Sequence, residues 1–359
     1  MKYDLVVMGG GPAGSAAAIT AARLGARVLL LERGRFARQK VCGEFVSAES
    51  LSLLSALLGD TRRDLLDPAM KISAARLFIG RRTVQVDVVP GAASITRLEL
   101  DAALWEAAQR TGVEARSQTT VQSIRGAGPF GVITREGEFE GSAVIDASGR
   151  WSNLRTHHPD QGPSAKWIGL KAHFFEAAPS GTVDLYFFEG GYCGVQPIRA
   201  SRPAVNACAM VRADVATTLH EVFEQHPALR ERSAAWEQIG EPVSTSPLVF
   251  SRPEPIRNGI ACAGDAAGFV DPFIGDGISL ALHSGVLAGE SMAHGDFSSA
   301  LGDYADEYSR RLLPVFRRSA RLRRMLSLPH IVLGSILPLM KVEFVGRSVV
   351  SATRVRAAS

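Results

Sequence analysis

YDLVVMGGGPAGSAAAITAARLGARVLLLE, residues 3–32, decides the fold. Residues 3–8 are an apolar run with adjacent valines, the pattern of a strand buried on both faces. GGGPAGS breaks the run, and the Ala-rich AAAITAARLG reads as a helix that stops at Gly25. Ala26–Leu31 is a second apolar strand, closed by Glu32. The unit is βαβ, and its turn carries Gly9-x-Gly11-x-x-Gly14. Those glycines serve a tight turn, close backbone approach of a pyrophosphate, and tight packing of helix on strand. The helix N-terminus favours an anion, and an acid ending the second strand suits a ribose hydroxyl. The stretch predicts a dinucleotide-binding domain.

A second glycine-rich stretch lies far downstream: GIACAGDAAGFVDPFIGDGISLALHSG, residues 259–285. It begins as a short strand, Ile260–Ala263, breaks into a Gly/Asp/Pro loop and becomes an apolar helix near Ile278. Such a loop brings backbone N–H groups and the Asp265 carboxylate to the carboxyl end of a strand. Between the two stretches, Ala143–Ala147 reads as another buried strand, left by SGRWSNLR.

The remainder divides by pattern. Residues 33–46 form a basic loop, and Ser47–Leu58 a helix. Residues 72–89 alternate around Gly80 as a hairpin, and Glu99–Thr111 is helical. Strand-like pieces follow at 113–117, 119–125 and 130–135. Four β-like runs lie near 166–176, 181–188, 192–198 and 203–211, and the helical period returns only at Val215–Gln225. Val243–Phe250 leads back toward the first domain, and beyond residue 285 the chain is mostly helical to about Met325. This predicts an α/β + β architecture: a discontinuous Rossmann-like domain (1–71, 95–160, 250–300), an inserted antiparallel-sheet domain (72–94, 161–249) and a helical C-terminal segment (301–359).

Bulk properties narrow the function. The 359 residues are 46% hydrophobic and 21% charged, an ordinary globular composition, and a net charge of +4 does not argue for nucleic acid. Cys42, Cys193, Cys208 and Cys262 lie far apart without metal-ligand spacing, so no metal site is expected and a reduced, cytoplasmic setting fits. The first residues lack a signal-peptide layout, and no uncharged run is long enough to span a membrane.

Three motifs now stand in order: Gly9–Gly14 with Glu32, VIDASGRWSNLR at 144–155, and GDAAGFVDPFIGDG at 264–277. Together they resemble the FAD-dependent oxidoreductases built like p-hydroxybenzoate hydroxylase, in particular the branch of geranylgeranyl reductases and flavin-dependent halogenases. The resemblance implies FAD as cofactor, with the inserted sheet roofing the flavin. It places Gly9, Gly11 and Gly14, with Pro12 and Ala13, at the pyrophosphate, and Glu32 and Arg33 at the adenosine ribose. Arg97, Val121, Cys42, Gly43, Gly264 and Asp265 would also reach the cofactor, as would Pro272, Gly275, Asp276, Gly277 and Ile278. A helix N-terminus at the flavin N1/O2 edge stabilises the negative charge of the reduced ring. Asp271 and Asp276 are therefore expected to point away from it or to cap the helix.

Departures from the family pattern bear on the reaction. The halogenase WxWxIP motif is missing. Where the reductases carry YxWxFP, this chain has GGYCGVQPI, residues 190–198, with Gly194 in place of the tryptophan, which should enlarge the roof of the cavity. VCGE, 41–44, matches the Cys-Gly loop of the reductases. The candidate catalytic residues are Cys42 as proton donor, Tyr192 as hydrogen-bond donor to a substrate oxygen, Glu44 as base or partner of Arg38 or Lys40, and His173. Cys193, Cys208 and Cys262 are expected in the core, and Trp151 and Trp167 as packing at the domain junction.

The resemblance implies an FAD-dependent monooxygenase acting on an aromatic, polyketide-like or quinone-like lipophile through a flavin C4a-hydroperoxide. A reductase that saturates prenyl double bonds is the alternative, and a non-catalytic redox module the third reading. No second GxGxxG is present, so NAD(P)H would visit transiently as electron donor. Arg310, Arg311, Arg317, Arg318, Arg321, Arg323 and Arg324 form an acid-free basic stretch suited to a membrane surface or an acidic carrier protein.

Overall fold

The computed structural model describes residues 2–60, 62–66, 71–150, 166–293 and 297–326. Residues 151–155 of the SGRWSNLR turn, Trp151 among them, and the Pro-containing tail after residue 326 lie outside them, as do the side chains of Arg323 and Arg324.

Two sheets of eight strands each organise the chain. At the centre of the first are β1 (Lys2–Met8), β2 (Val28–Leu31), β9 (Glu138–Asp146) and β16 (Ile260–Cys262). β1 pairs in parallel with β2 and β9, and β9 in parallel with β16. The register sets Met8 beside Asp146 and Asp146 beside Cys262. Three motifs far apart in sequence thus leave adjacent parallel strands at the same end of the sheet. That end is where open α/β sheets build their ligand sites. The short β6 (Glu114–Arg116) extends the sheet beyond β2, β7 (Val121–Arg125) and β8 (Phe130–Thr134) form a hairpin beside β9, and β15 (Ile256–Arg257) closes the other edge.

Helices α1 (Pro12–Arg23), α3 (Arg97–Arg110) and α6 (Gly277–Met292) cover this sheet. α1 and α6 touch through small residues. A Cβ on Gly285 would lie 2.2 Å from the Ala13 carbonyl oxygen, and one on Gly289 2.5 Å from that of Ala17. Close backbone approach holds both N-termini, Gly11–Pro12 and Gly277–Ile278, at one cavity. α2 (Ala48–Leu58) packs nearby. α3 starts earlier than its apolar period suggests, because Thr96 caps it: its hydroxyl accepts from Glu99 N and donates to the Glu99 carboxylate.

The second sheet runs β14-β10-β13-β12-β11-β4-β5-β3. Its strands are β3 (Phe45–Val46), β4 (Lys71–Ile79), β5 (Arg82–Ser94), β10 (Trp167–Phe175), β11 (Thr182–Phe188), β12 (Gly191–Ile198), β13 (Ala204–Arg212) and β14 (Glu237–Thr245). Every junction is antiparallel except β11 against β4, which is parallel because the crossover from the first hairpin enters in the middle of the sheet. β14 was not expected as a strand. It is an exposed edge bearing acids and Pro242, features that mask the alternation and protect edges. The helical period expected from Val215 begins only at α4 (Leu219–Glu224), where Thr218 and Glu221 form a capping box; α5 (Pro227–Ser233) follows.

α7 (Phe297–Arg311) and α8 (Leu313–Leu326) close the described chain. The Tyr304 hydroxyl donates to the Cys262 carbonyl at 2.6 Å and pins α7 to β16. Arg310 and Arg311 pair with Glu307, while Arg317 and Arg321 are exposed. Among the described residues no helix is long and apolar enough to cross a membrane.

Candidate active site

A cavity of about 1130 Å³ runs from the glycine turn after β1 to one face of the second sheet. At its first end each glycine of the turn does something different. Gly9 has φ +104°, and a Cβ there would sit 2.3 Å from the Ala147 carbonyl oxygen. A Cβ on Gly14 would lie 1.8 Å from the Gly9 oxygen, so Gly14 permits helix–strand contact and does not line the cavity. Gly11 is different. A Cβ there would meet only Lys40 Nζ at 3.7 Å and an Arg97 guanidinium nitrogen at 3.8 Å. A helix N-terminus without acids in its first turn and two cations around an open glycine form a cradle for an anionic phosphate group.

Those cations are held from below. Asp101, 1% exposed, accepts two bonds from Arg97 and one from Lys40, all at 2.9 Å. Burial alone would lower the Arg97 pKa, but Asp101 outweighs it and the guanidinium is held above its ordinary value. Burial would raise the Asp101 pKa, and Arg97 and Lys40 hold it below the usual range. Beyond them Glu32, 5% exposed, accepts from Gly10 N and Gly34 N, each at 2.9 Å, and is flanked along the cavity by Arg33, Thr119 and Val121. Asp265, Gly264, Pro272, Gly275, Gly277 and Ile278 line the facing side.

The middle of the cavity is bounded by the loop Val41–Phe45. Glu44 adopts a left-handed φ of 62° and is fully buried. Its carboxylate accepts from Lys171 Nζ at 2.5 Å, His173 Nε2 at 2.8 Å and Arg97 N at 2.7 Å. Burial would raise its pKa, but His173 and Lys171 hold it below the ordinary value. The Cys42 sulfur accepts from Glu44 N at 3.3 Å, and the Asn206 amide donates to the Cys42 and Gly43 carbonyls at 3.1 and 3.0 Å. Burial pushes the Cys42 thiol up, with Arg97 opposing, so the thiol keeps its proton at neutral pH.

The far wall follows the two-residue period of the strands. Ala75, Leu77 and Ile79 on β4, Val86 and Val88 on β5, and Val183, Leu185 and Phe187 on β11 all face the cavity. Tyr192, Gly194, Cys208 and Met210 continue the wall, joined by Phe273. The rings of Phe187, Tyr192 and Phe273 pack within 6.0 Å of one another. None of these wall residues is charged.

Comparison with known proteins adds a family to this geometry. A family model described as FAD dependent oxidoreductase matches residues 4–150. The menaquinone reductase of Mycolicibacterium smegmatis is 28% identical, over 92% of this chain and 86% of its own length. A digeranylgeranylglycerophospholipid reductase of Methanopyrus kandleri is 26% identical, over 91% of this chain and 87% of its own. Among solved structures, a geranylgeranyl bacteriochlorophyll reductase-like protein of Thermoplasma acidophilum superposes with a TM-score of 0.77 at 20% identity, covering 98% of this chain and 95% of that one. The myxobacterial chondrochloren halogenase gives 0.75 at 24% identity, covering 88% and 80%. At such identities the structural likeness speaks for the fold.

Over residues 4–150 the chain matches the FAD-dependent oxidoreductases. Its residues fit the cofactor on their own terms: an open glycine between two fixed cations, a buried ribose-side acid, and a second helix N-terminus at Gly277. Most residues expected at the cofactor line the flavoprotein's cavity. Gly14 and Asp276 do not. Gly14 is a packing glycine, and Asp276 is 0% exposed at the start of α6 without making a capping bond. Asp271 instead caps the short turn Pro272–Ile274 through Phe273 N.

Of the catalytic candidates, Cys42, Glu44 and Tyr192 line the cavity. The Tyr192 hydroxyl is buried without a hydrogen-bond partner. Burial, then the Asp271 charge, raises its pKa, so it remains a donor. His173 does not face the cavity, because the Val41–Phe45 loop lies over it. Glu44 pairs with neither Arg38 nor Lys40, which turn to Glu32 and Asp101. Cys208 proves to be a wall residue, whereas Cys193 and Cys262 are fully buried. Sequence reasoning missed Lys171, Asn206 and Asp101 as parts of the site, and it gave Lys40 to Glu44, whereas Lys40 pairs with Asp101. The one available signal was a lysine and an asparagine inside otherwise apolar strands. Among the described residues no three His, Cys, Asp or Glu side chains gather as a metal site requires.

Proposed function

We propose that this flavoprotein is a reductase that saturates a carbon–carbon double bond in a long, uncharged, prenyl-like lipophile. The observation that carries the reading is the uncharged wall of the cavity, which extends from Cys42 along β4, β5 and β11 to Ile79. An apolar tail gains about 25 cal/mol per Å² on leaving water for such a wall, whereas a charged group there would have no partner. The names of the two reductases similar to the chain support the same substrate class.

FAD held along Gly11, Arg97 and Asp265 would supply, when reduced, the hydride for one alkene carbon. The other carbon needs a proton, and the Cys42 thiol, protonated at neutral pH and facing the cavity, supplies it. The flanking walls exclude water, so the electrons stay with the substrate. NAD(P)H, visiting transiently, would be the donor of the two electrons.

Reduced holoenzyme mixed without oxygen with a menaquinone carrying an unsaturated side chain should reoxidise and yield a product that, after its ring is returned to the quinone, is still heavier by two hydrogens in the side chain. Cys42→Ser should slow this step by about 10²-fold. If the cofactor stays reduced without oxygen, and aerobic turnover instead places label from isotopic dioxygen in the product, the enzyme is a monooxygenase and the reductase reading fails.

A further inference from the structure

The Glu44–Lys171–His173 group is costly as mere core. Lys171 is 1% and Glu44 0% exposed, and an apolar set of similar volume would fill the space without the desolvation penalty. Its geometry points to another use. Gly169, Lys171 and His173 alternate along β10 onto the face that Asn206 and Cys208 share, because His173 stands opposite Asn206 and Lys171 opposite Cys208. At the cavity end of this face, Gly169 and Cys208 line the wall. Where Lys171, His173 and Asn206 stand, the face is covered by the Cys42–Glu44 turn.

Apart from Ile95 N, which donates to the Glu44 carbonyl at 3.0 Å, and the packing of Cys42 on the core, side chains fix that turn. Residues 38–44 carry no regular secondary structure, and a Cβ on Gly43 would meet nothing within 4 Å. Its anchors come from outside. Lys171 and His173 take the two carboxylate oxygens of Glu44, and Lys171 also donates to the Gln39 side chain at 2.8 Å. Asn206 takes the two carbonyls of Cys42 and Gly43, and the first amide of α3 takes Glu44 again. Each contact is a directional bond, so the arrangement admits one placement of the turn. A salt bridge in the core commonly adds little stability, but it can specify a conformation.

We propose that Glu44, Lys171, His173 and Asn206 form a positioning clamp that fixes the Cys42–Gly43 turn against the second sheet and so sets where the Cys42 thiol stands in the cavity. The catalytic consequence rests on the reading of Cys42 as proton donor; the positioning itself does not. Lys171 and Asn206 are positioning residues, since neither lines the cavity.

Glu44→Gln with Lys171→Met removes both charges together and leaves no uncompensated ion. Asn206→Leu tests the clamp with the charges intact. The readout is the rate of iodoacetamide alkylation at Cys42 of the holoenzyme, resolved by peptide mass, with the wild-type holoenzyme as reference. The clamp predicts that Cys42 alkylation changes by about tenfold or more relative to wild type in either variant, and that kcat falls by a similar factor with KM little altered. Wild-type alkylation at Cys42 in both variants would overturn the proposal. Altered alkylation with unchanged kcat would uphold the clamp and defeat Cys42 as proton donor.

Discussion

A single added methyl group separates the roles of the glycines. On Gly14 it would overlap the Gly9 carbonyl at 1.8 Å, so helix and strand must part; on Gly11 it would enter open space between Lys40 and Arg97. Gly14→Ala should therefore destabilise the protein itself by about 1–3 kcal/mol or more. Gly11→Ala should leave the cofactor-free melting temperature within a degree or so of wild type and weaken FAD binding. Thermal melts with and without FAD, beside a flavin titration, check both. The motif announced both glycines equally. The division of labour between them depends on what lies opposite each, and the sequence does not contain that.

Pairs of elements are joined by buried carboxylates with depressed pKa. Asp101 on α3 holds Arg97 and Lys40, and Glu44 joins the cysteine loop to β10. A carboxylate whose folded value lies below its unfolded one contributes fully above the unfolded value and loses that contribution as pH falls through the folded one. With ordinary values of 3.8 for Asp and 4.5 for Glu, the melting temperature should stay level from neutral pH to about pH 5 and fall below it. The Glu44→Gln/Lys171→Met protein should show a shallower acid decline. A slope equal to wild type would mean that Glu44 carries no such linkage. The strands and helices joined by these groups were legible from period and caps. The joints were not: a lysine inside an apolar strand does not reveal its partner, 127 positions away.

The cavity exists only in the whole molecule, since one end belongs to the parallel sheet and the other to the inserted sheet. Gly194 stands in its wall, where a Cβ would meet Leu185 Cδ2 at 3.3 Å and the Cys208 oxygen at 3.7 Å. A larger side chain must therefore project into the cavity. Gly194→Trp should shorten the longest lipophile accepted while leaving FAD affinity unchanged. Turnover against a series of prenyl chain lengths reads this out, and an unchanged length profile would remove Gly194 from the substrate lobe.

The sequence by itself determined the Rossmann-like fold and named most of the residues that line one end of the cavity. Those depend on local chemistry: glycines in a strand-to-helix turn, an acid closing a strand, and a loop before a helix N-terminus. It also singled out the Cys-Gly loop and Gly194. Only the tertiary structure decided which of these faces the cavity. Register brought Met8, Asp146 and Cys262 to one end of a sheet, and the antiparallel pairing of β10 with β13 set His173 beside Asn206 beneath the cysteine turn. The physical reason is that a buried charge finds its partner by position in space, and the spacing of residues along a chain does not encode a contact made between two sheets.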